Sequence, residues 1–295
     1  MTIKQYVHIL LSSLLIIGLS PASQGATDKN DVLTWGGCGI TKKAFMAELA
    51  KAYEQKTGVK IVLQGGGATR GIRETTNMHL DLGGSCRMNL PEEDRTEFHA
   101  NLHPVAWDAL VLITNKQNPI KNLNADQVRD IYLGKVTDWR QVGGAPGPIH
   151  LYIRRGKISG VGYTIRQYLF KDSNIDFVTK SEYIKPSSGP LEKAVEKDVN
   201  ALAITGVSSA RKRNVKIINM DNKSPTYDNV MHGKYVLYRP LYLVTTPSPS
   251  ARVKDFVAFA TSKEGRDIIR ANGTVPYRDA PNLMSKMLIY GFDVR

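Results

Sequence analysis

The chain has 295 residues, 42% of them hydrophobic, with two cysteines and a formal net charge of +13. That length supports one large or two medium α/β domains with a substantial core, and no tandem repeat, low-complexity tract or proline-rich linker breaks it into beads. The basic balance suits an anionic ligand or an acidic cell surface; its densest cluster, "ARKRNVK" at 210–216, reads as a solvated loop face, so no nucleic-acid partner is expected.

Lys4 precedes an apolar run from Val7 to Leu19, and the small residues of "SPASQGA" follow, which is the layout of a secretory signal peptide over residues 1–25. Cleavage is expected between Ala22 and Ala26. The first cysteine, Cys38, lies too far on for a lipid anchor at that site. The expected product is exported and periplasmic. In an oxidising compartment two cysteines suggest one disulfide, Cys38 to Cys86.

From residue 31 short apolar strands alternate with helices, which predicts an α/β fold with mostly parallel sheets. "VLTW" reads as a strand running into the turn "GGCGI". Thr41 is the expected N-cap of a helix that places Phe45, Leu49 and Tyr53 on one face and closes at Gly58. "KIVLQ" is a strand followed by "GGGATRG" and a helix, and "LDLGGS" is a third strand. Three strands thus end in glycine-rich turns, and in an open parallel sheet the ligand crevice lies beyond those carboxyl ends. Further on, Asn124 with Gln127 forms a capping-box pattern for a helix over 125–133, with Gly134 at its C-terminal stop. "SARVKDFVAFATS" and "SKEGRDIIRANG" are two more helices, the second stopped by Gly273.

The stretch "IRRGKISGVGYTIRQYLF", 153–170, has the chemistry of an anion site. A helix opening near Gly162 to Thr164 presents unpaired backbone N–H groups and a positive dipole end. Ser159 adds a hydroxyl, Gly160 and Gly162 let a ligand approach the backbone, and Arg155 offers a bidentate fork. Motifs for catalysis do not appear. Ser159 lacks the first glycine of a nucleophile elbow, Ala44 stands where a C-x5-R phosphatase loop needs arginine, and "GGGATRGI" lacks the length and ending of a P-loop. His79, His99, His103, His150 and His232 show no metal-ligand spacing. Neither a metal nor a cofactor is expected.

"NPIKNLNADQVRDIYLGKVTDWRQVGG", "YVLYRPLYLV" and "SKEGRDIIRANGTVPY" closely resemble the phosphate-binding proteins of phosphate ABC transporters, and the similarity runs from about 31 to 277. The resemblance implies the type 2 periplasmic-binding-protein fold, two α/β lobes joined by crossing strands. One lobe would comprise 26–109 and 238–295, the other 110–237. It implies a monomer that captures phosphate or a similar tetrahedral oxyanion and delivers it to an inner-membrane permease.

The family site carries over residue by residue, with departures. In the first turn, Gly37-Cys38-Gly39-Ile40-Thr41, the small hydroxyl residues thin out, leaving Gly39 and Thr41. Thr69 stands at a serine position, and Arg70 replaces a residue that is usually small. Asp81 matches the family aspartate that accepts the ligand's proton, Arg155 the ligand arginine, and Ser159 and Gly160 the third turn. Val161 replaces a threonine, and Lys157 stands where some members carry a second acid. These departures leave two other readings open: a secreted binding, adhesion or sensing protein with a modified site, and a phosphatase-like enzyme on the same scaffold.

Overall fold

A computed structural model describes residues 32–289, so the leader segment lies outside the described residues. Three parallel strands, β1 (Val32–Gly37), β2 (Lys60–Gln64) and β3 (Leu82–Ser85), form one side of the sheet in the order β2-β1-β3. The helical run 39–57 connects β1 to β2, and the helix Ala68–Thr76 connects β2 to β3. Phe45 and Leu49 are wholly buried, with Tyr53 nearly so, and Gly58 closes the run at φ 78°.

The start of that run corrects an expectation. Cys38, not Thr41, is the N-cap, because Ile40 is drawn into the core and the Thr41 hydroxyl donates to the Ser85 carbonyl at 3.3 Å instead of capping. A π-helical turn, Lys42–Met46, follows directly.

β4 (Asn101–Asn115) has 15 residues and changes partners along its length. Its first part pairs antiparallel with β10 (Tyr238–Thr245), ending at Ala109↔Tyr238, and also with β11 (Val275–Pro276). Its second part, from Leu110 onward, pairs with β8 (Ala201–Gly206) and β9 (Val215–Met220). β6 (His150–Arg154) lies parallel to both β8 and the short β7 (Ile184–Lys185), while β5 (Asn122–Leu123) pairs with β9. β4 is buried throughout from Val105 to Asn115, which matches its nearly unbroken apolar sequence.

The helix Ala125–Tyr132 opens on the expected capping box: Asn124 accepts from the Gln127 N–H at 2.8 Å, and Gln127 accepts from the Asn124 N–H at 2.9 Å. Gly134 and Gly273 both take positive φ, 72° and 76°, after their helices. The helices Ala251–Thr261 and Lys263–Ala271 stand where the sequence puts them. The basic cluster at 210–216 faces solvent at Arg211, Lys212 and Asn214, as expected, and its side chains are also tied to the fold. Arg211 donates to the Gly273 and Pro225 carbonyls, Lys212 to the Lys43 carbonyl, and Arg213 to the buried Glu192. Among the described residues no helix is long and apolar enough to cross a membrane.

Candidate functional site

The carboxyl ends of β1, β2 and β3 point at the turn that follows β6. Between them lies a cavity of about 190 Å³, with Gly66–Thr69 on one wall and Arg154, Arg155, Ile158 and Ser159 on the other. Gly67, at φ 95°, precedes the helix Ala68–Thr76 and ties the second turn to the first through its N–H to the Gly37 carbonyl, 3.0 Å. Opposite, Ser159 caps the helix Gly160–Ile165, accepting from the Gly162 N–H at 3.2 Å.

The two walls touch. Arg87, just after β3, donates from Nε to the Ile158 carbonyl at 2.9 Å and from Nη2 to the Thr69 hydroxyl at 3.2 Å. Arg239, on β10, donates from Nη1 to the Gly160 carbonyl at 2.8 Å. Gly160 is a glycine for steric reasons: a Cβ there would stand 2.4 Å from the Cys86 sulfur.

Thr69, Ser159 and Arg155 therefore line one crevice; Gly160 follows Ser159 directly, while Gly39 and Thr41 lie on the turn after β1, outside its lining, with Thr41 wholly buried. Arg155 is exposed at its rim, and its guanidinium has no hydrogen bond or ion pair among the described residues. Two more expected residues are not brought there. Asp81 precedes β3 at the opposite, amino end and accepts from the Thr34 N–H and hydroxyl, both at 2.7 Å. Cys86, just past the carboxyl end of β3, is buried and lines a separate cavity with Arg87 and Arg239. Arg70 folds back on its own turn, donating to Glu74, Gly65 and Gln64 at 2.8, 2.6 and 2.7 Å. Lys157 also turns away, pairing with Asp176 at 2.8 Å.

The structure adds two arginines that motif matching passed over. Arg154 is buried, donating from Nη1 to Ser188 at 2.8 Å and from Nη2 to the Pro186 carbonyl at 3.1 Å, while its Nε is without a partner. Arg239 is 2% exposed, and its Nε and Nη2 are likewise unpartnered. Alternation along β6 explains the first, since neighbouring strand residues face opposite sides and Arg155 already lies beyond the strand. A signal for the second was present: an arginine inside the apolar run "YVLYRPLYLV" must be buried with it.

Cys38 and Cys86 are buried side by side, their sulfurs 2.7 Å apart as two free thiols and not joined in a disulfide. Burial opposes a thiolate at Cys38. The hydrogen bond from Cys86, the charges of Arg239 and Arg154 and the Thr41 N–H outweigh it and draw the Cys38 thiol down to about 6. The shared hydrogen bond and burial push Cys86 the other way. Among the described residues no cluster of three or more His, Cys, Asp or Glu is arranged to hold a metal ion.

A crevice of backbone N–H groups and guanidinia between two sheets that share a long strand is the architecture of a solute-binding protein. Residues 28–264 match the PBP superfamily domain, and the chain belongs to that family. It is 25% identical over 255 residues to the phosphate-binding protein PstS of Borreliella burgdorferi, covering 83% of this chain and 90% of that one. The PstS of Bacillus subtilis is 22% identical over 265 residues, 88% of this chain and 85% of its own. A Clostridium perfringens structure with bound phosphate, named for phosphate ABC transporter substrate binding, superposes with a TM-score of 0.73 at 26% identity, covering 83% and 99% of the two chains. An ABC-type phosphate transport receptor from Vibrio cholerae gives 0.64 at 26% identity, covering 82% and 99%. The two-lobed type 2 periplasmic-binding-protein fold expected from sequence is the fold of this chain.

Proposed function

We propose that the protein captures one inorganic phosphate in this crevice and delivers it to an ABC-type membrane transporter, as a periplasmic binding protein and not as an enzyme. The observation that carries the reading is the phosphate-bound Clostridium perfringens relative, whose fold this chain shares over 83% of its length. The names of the PstS relatives agree with it.

In this reading the lobes divide where β4 changes partners, giving 26–109 with 238–295 on one side and 110–237 on the other. β4 and the junction before β10 are the connections, supported by the pairing of Ala109 with Tyr238 and of Leu110 with Gly206. Thr69, Arg155, Ser159 and Gly160 form the oxyanion site, with the buried Arg154 adding charge beneath it. Gly39, Thr41, Asp81 and Arg70 are left out, since Gly39 and Thr41 lie outside the lining, Asp81 lies at the wrong end of its strand and Arg70 is saturated locally. The signal peptide over 1–25 supplies export. The one disulfide of an oxidising compartment would join Cys38 to Cys86, in keeping with the contact between their sulfurs.

Calorimetric titration of the purified protein with phosphate tests the reading. A 1:1 complex with no turnover of phosphate esters is expected; no heat and no thermal shift with phosphate would overturn it.

A further inference from the structure

Resting on the capture reading, we propose that the crevice is a donor-only site. It holds a tetrahedral oxyanion by charge and shape, the proton that phosphate carries is not read, and sulfate is bound alongside phosphate.

The polar side chains that line the crevice all offer protons. Arg154 and Arg155 bring guanidinia, Thr69 and Ser159 bring hydroxyls, and no Asp or Glu is among the described lining residues. The oxygens that could accept a ligand proton already accept from the protein. Thr69 Oγ1 accepts from Arg87 Nη2 and Ser159 Oγ from the Gly162 N–H, both at 3.2 Å. The Ile158 carbonyl accepts from Arg87 Nε at 2.9 Å, and the Pro186 carbonyl from Arg154 Nη2 at 3.1 Å. The Thr69 proton meets only the Ile158 carbonyl at 3.5 Å, the long limit of a hydrogen bond, which leaves it for a ligand oxygen.

The buried cation points the same way. Arg154 is 8% exposed and its Nε has no partner. Its Nη2 would stand 3.6 Å from a Cβ at Gly67, so the guanidinium lies at the amino end of the helix Ala68–Thr76, where the first N–H groups also favour an anion. Glu192 balances part of the Arg154 charge, but it does not line the crevice. Its oxygens accept from Lys43 and Arg213, each at 3.0 Å, from Thr205 at 2.7 Å and from Ser209. Other acids of the surrounding segments are also taken: Asp81 by Thr34, Glu97 by Arg87 and Arg73, and Asp176 by Lys157.

A site separates phosphate from sulfate by placing an acceptor against the phosphate proton, because sulfate has no proton to set between its own charge and those lone pairs. Without that acceptor the two anions present the same shape to the same donors. The P–OH of phosphate then finds no partner, and that cost falls on phosphate alone.

The test is calorimetric titration of the purified protein with sodium phosphate and with sodium sulfate, each in buffer free of the other anion. Sulfate is expected to bind no more than about tenfold more weakly than phosphate. Ser159→Asp supplies the missing acceptor, since one carboxylate oxygen can keep the cap on Gly162 while the other faces the ligand. That variant should widen the preference for phosphate by about tenfold, through weaker sulfate binding. Sulfate binding more than tenfold weaker in the wild type, or a preference not widened in folded Ser159→Asp, would overturn the donor-only site and leave capture standing. Binding of sulfate alone would keep the donor-only site and overturn phosphate as its ligand. Binding of neither anion would overturn both.

Discussion

Arg87 and Glu97 meet as a fully buried, two-pronged ion pair, Nη1 to Oε2 at 2.7 Å and Nη2 to Oε1 at 2.9 Å. Glu97 also accepts from the Leu90 N–H and from Arg73 Nε, each at 2.8 Å. The same Arg87 reaches Thr69 and the Ile158 carbonyl, so a carboxylate in a short 3-10 turn fixes the arginine that bridges the crevice.

Glu97→Ala should therefore destabilise the fold by about 3–5 kcal/mol, because it leaves Arg87 buried and unpaired. Denaturant unfolding monitored by tryptophan fluorescence measures this; a loss under about 1 kcal/mol would show that Arg87 finds another partner. The pair also sets an acid limit. Burial pushes the Glu97 carboxyl up, but Arg87, Leu90 and Arg73 together hold it below the usual carboxylate value. A depressed folded-state pKa contributes stability that is complete above the unfolded carboxylate value, about 4.3, and is lost as pH falls through the folded one. Stability of the wild type should fall more steeply below about pH 4 than that of Glu97→Gln.

Arg155 and Arg70 separate a crevice arginine from a structural one. Arg155→Ala should weaken phosphate binding about tenfold, or about 1.4 kcal/mol, since its exposed guanidinium stands free at the rim. Arg70→Ala should leave affinity within about twofold, since its donors are spent on Gln64, Gly65 and Glu74. Calorimetry on both variants gives the order, and a reversal would move the site toward the second turn.

Asp81→Asn should change neither phosphate affinity nor the preference for phosphate over sulfate. Its carboxylate braces Thr34 at the amino end of the strands, far along the sheet from the crevice. A loss of about 1 kcal/mol in stability is expected from the weakened pair of hydrogen bonds. Paired titrations with the two anions check it, and a narrowed preference would return Asp81 to the ligand set.

Gly160→Ala should hold the walls apart, because its methyl group would meet the Cys86 sulfur at 2.4 Å and the Ala68 Cβ at 3.1 Å. Phosphate affinity should fall about tenfold or more, and Cys86→Ala in the same chain should restore part of it. Additive losses in the double variant would show that the contact is not what limits closure.

The sequence by itself determined the scaffold. Strand alternation, the Asn124–Gln127 box and the glycine stops are local signals, and each reads within a few residues because backbone geometry and capping act at that range. The turns after β2 and β6, which carry their glycines, hydroxyls and arginine in contiguous motifs, do line one crevice. Only the tertiary structure decided which charges face it. Asp81 and Cys86 lie on one short segment, yet β3 sends them to opposite ends of the sheet. Arg154 and Arg155 are adjacent, yet the end of β6 buries one and exposes the other. Arg239 reaches Gly160 across 79 residues of chain, and Cys38 meets Cys86 only because β1 and β3 are neighbours. Side-chain direction and cross-strand neighbours are set by sheet register, which depends on pairing between distant segments and so leaves no trace in any single stretch of sequence.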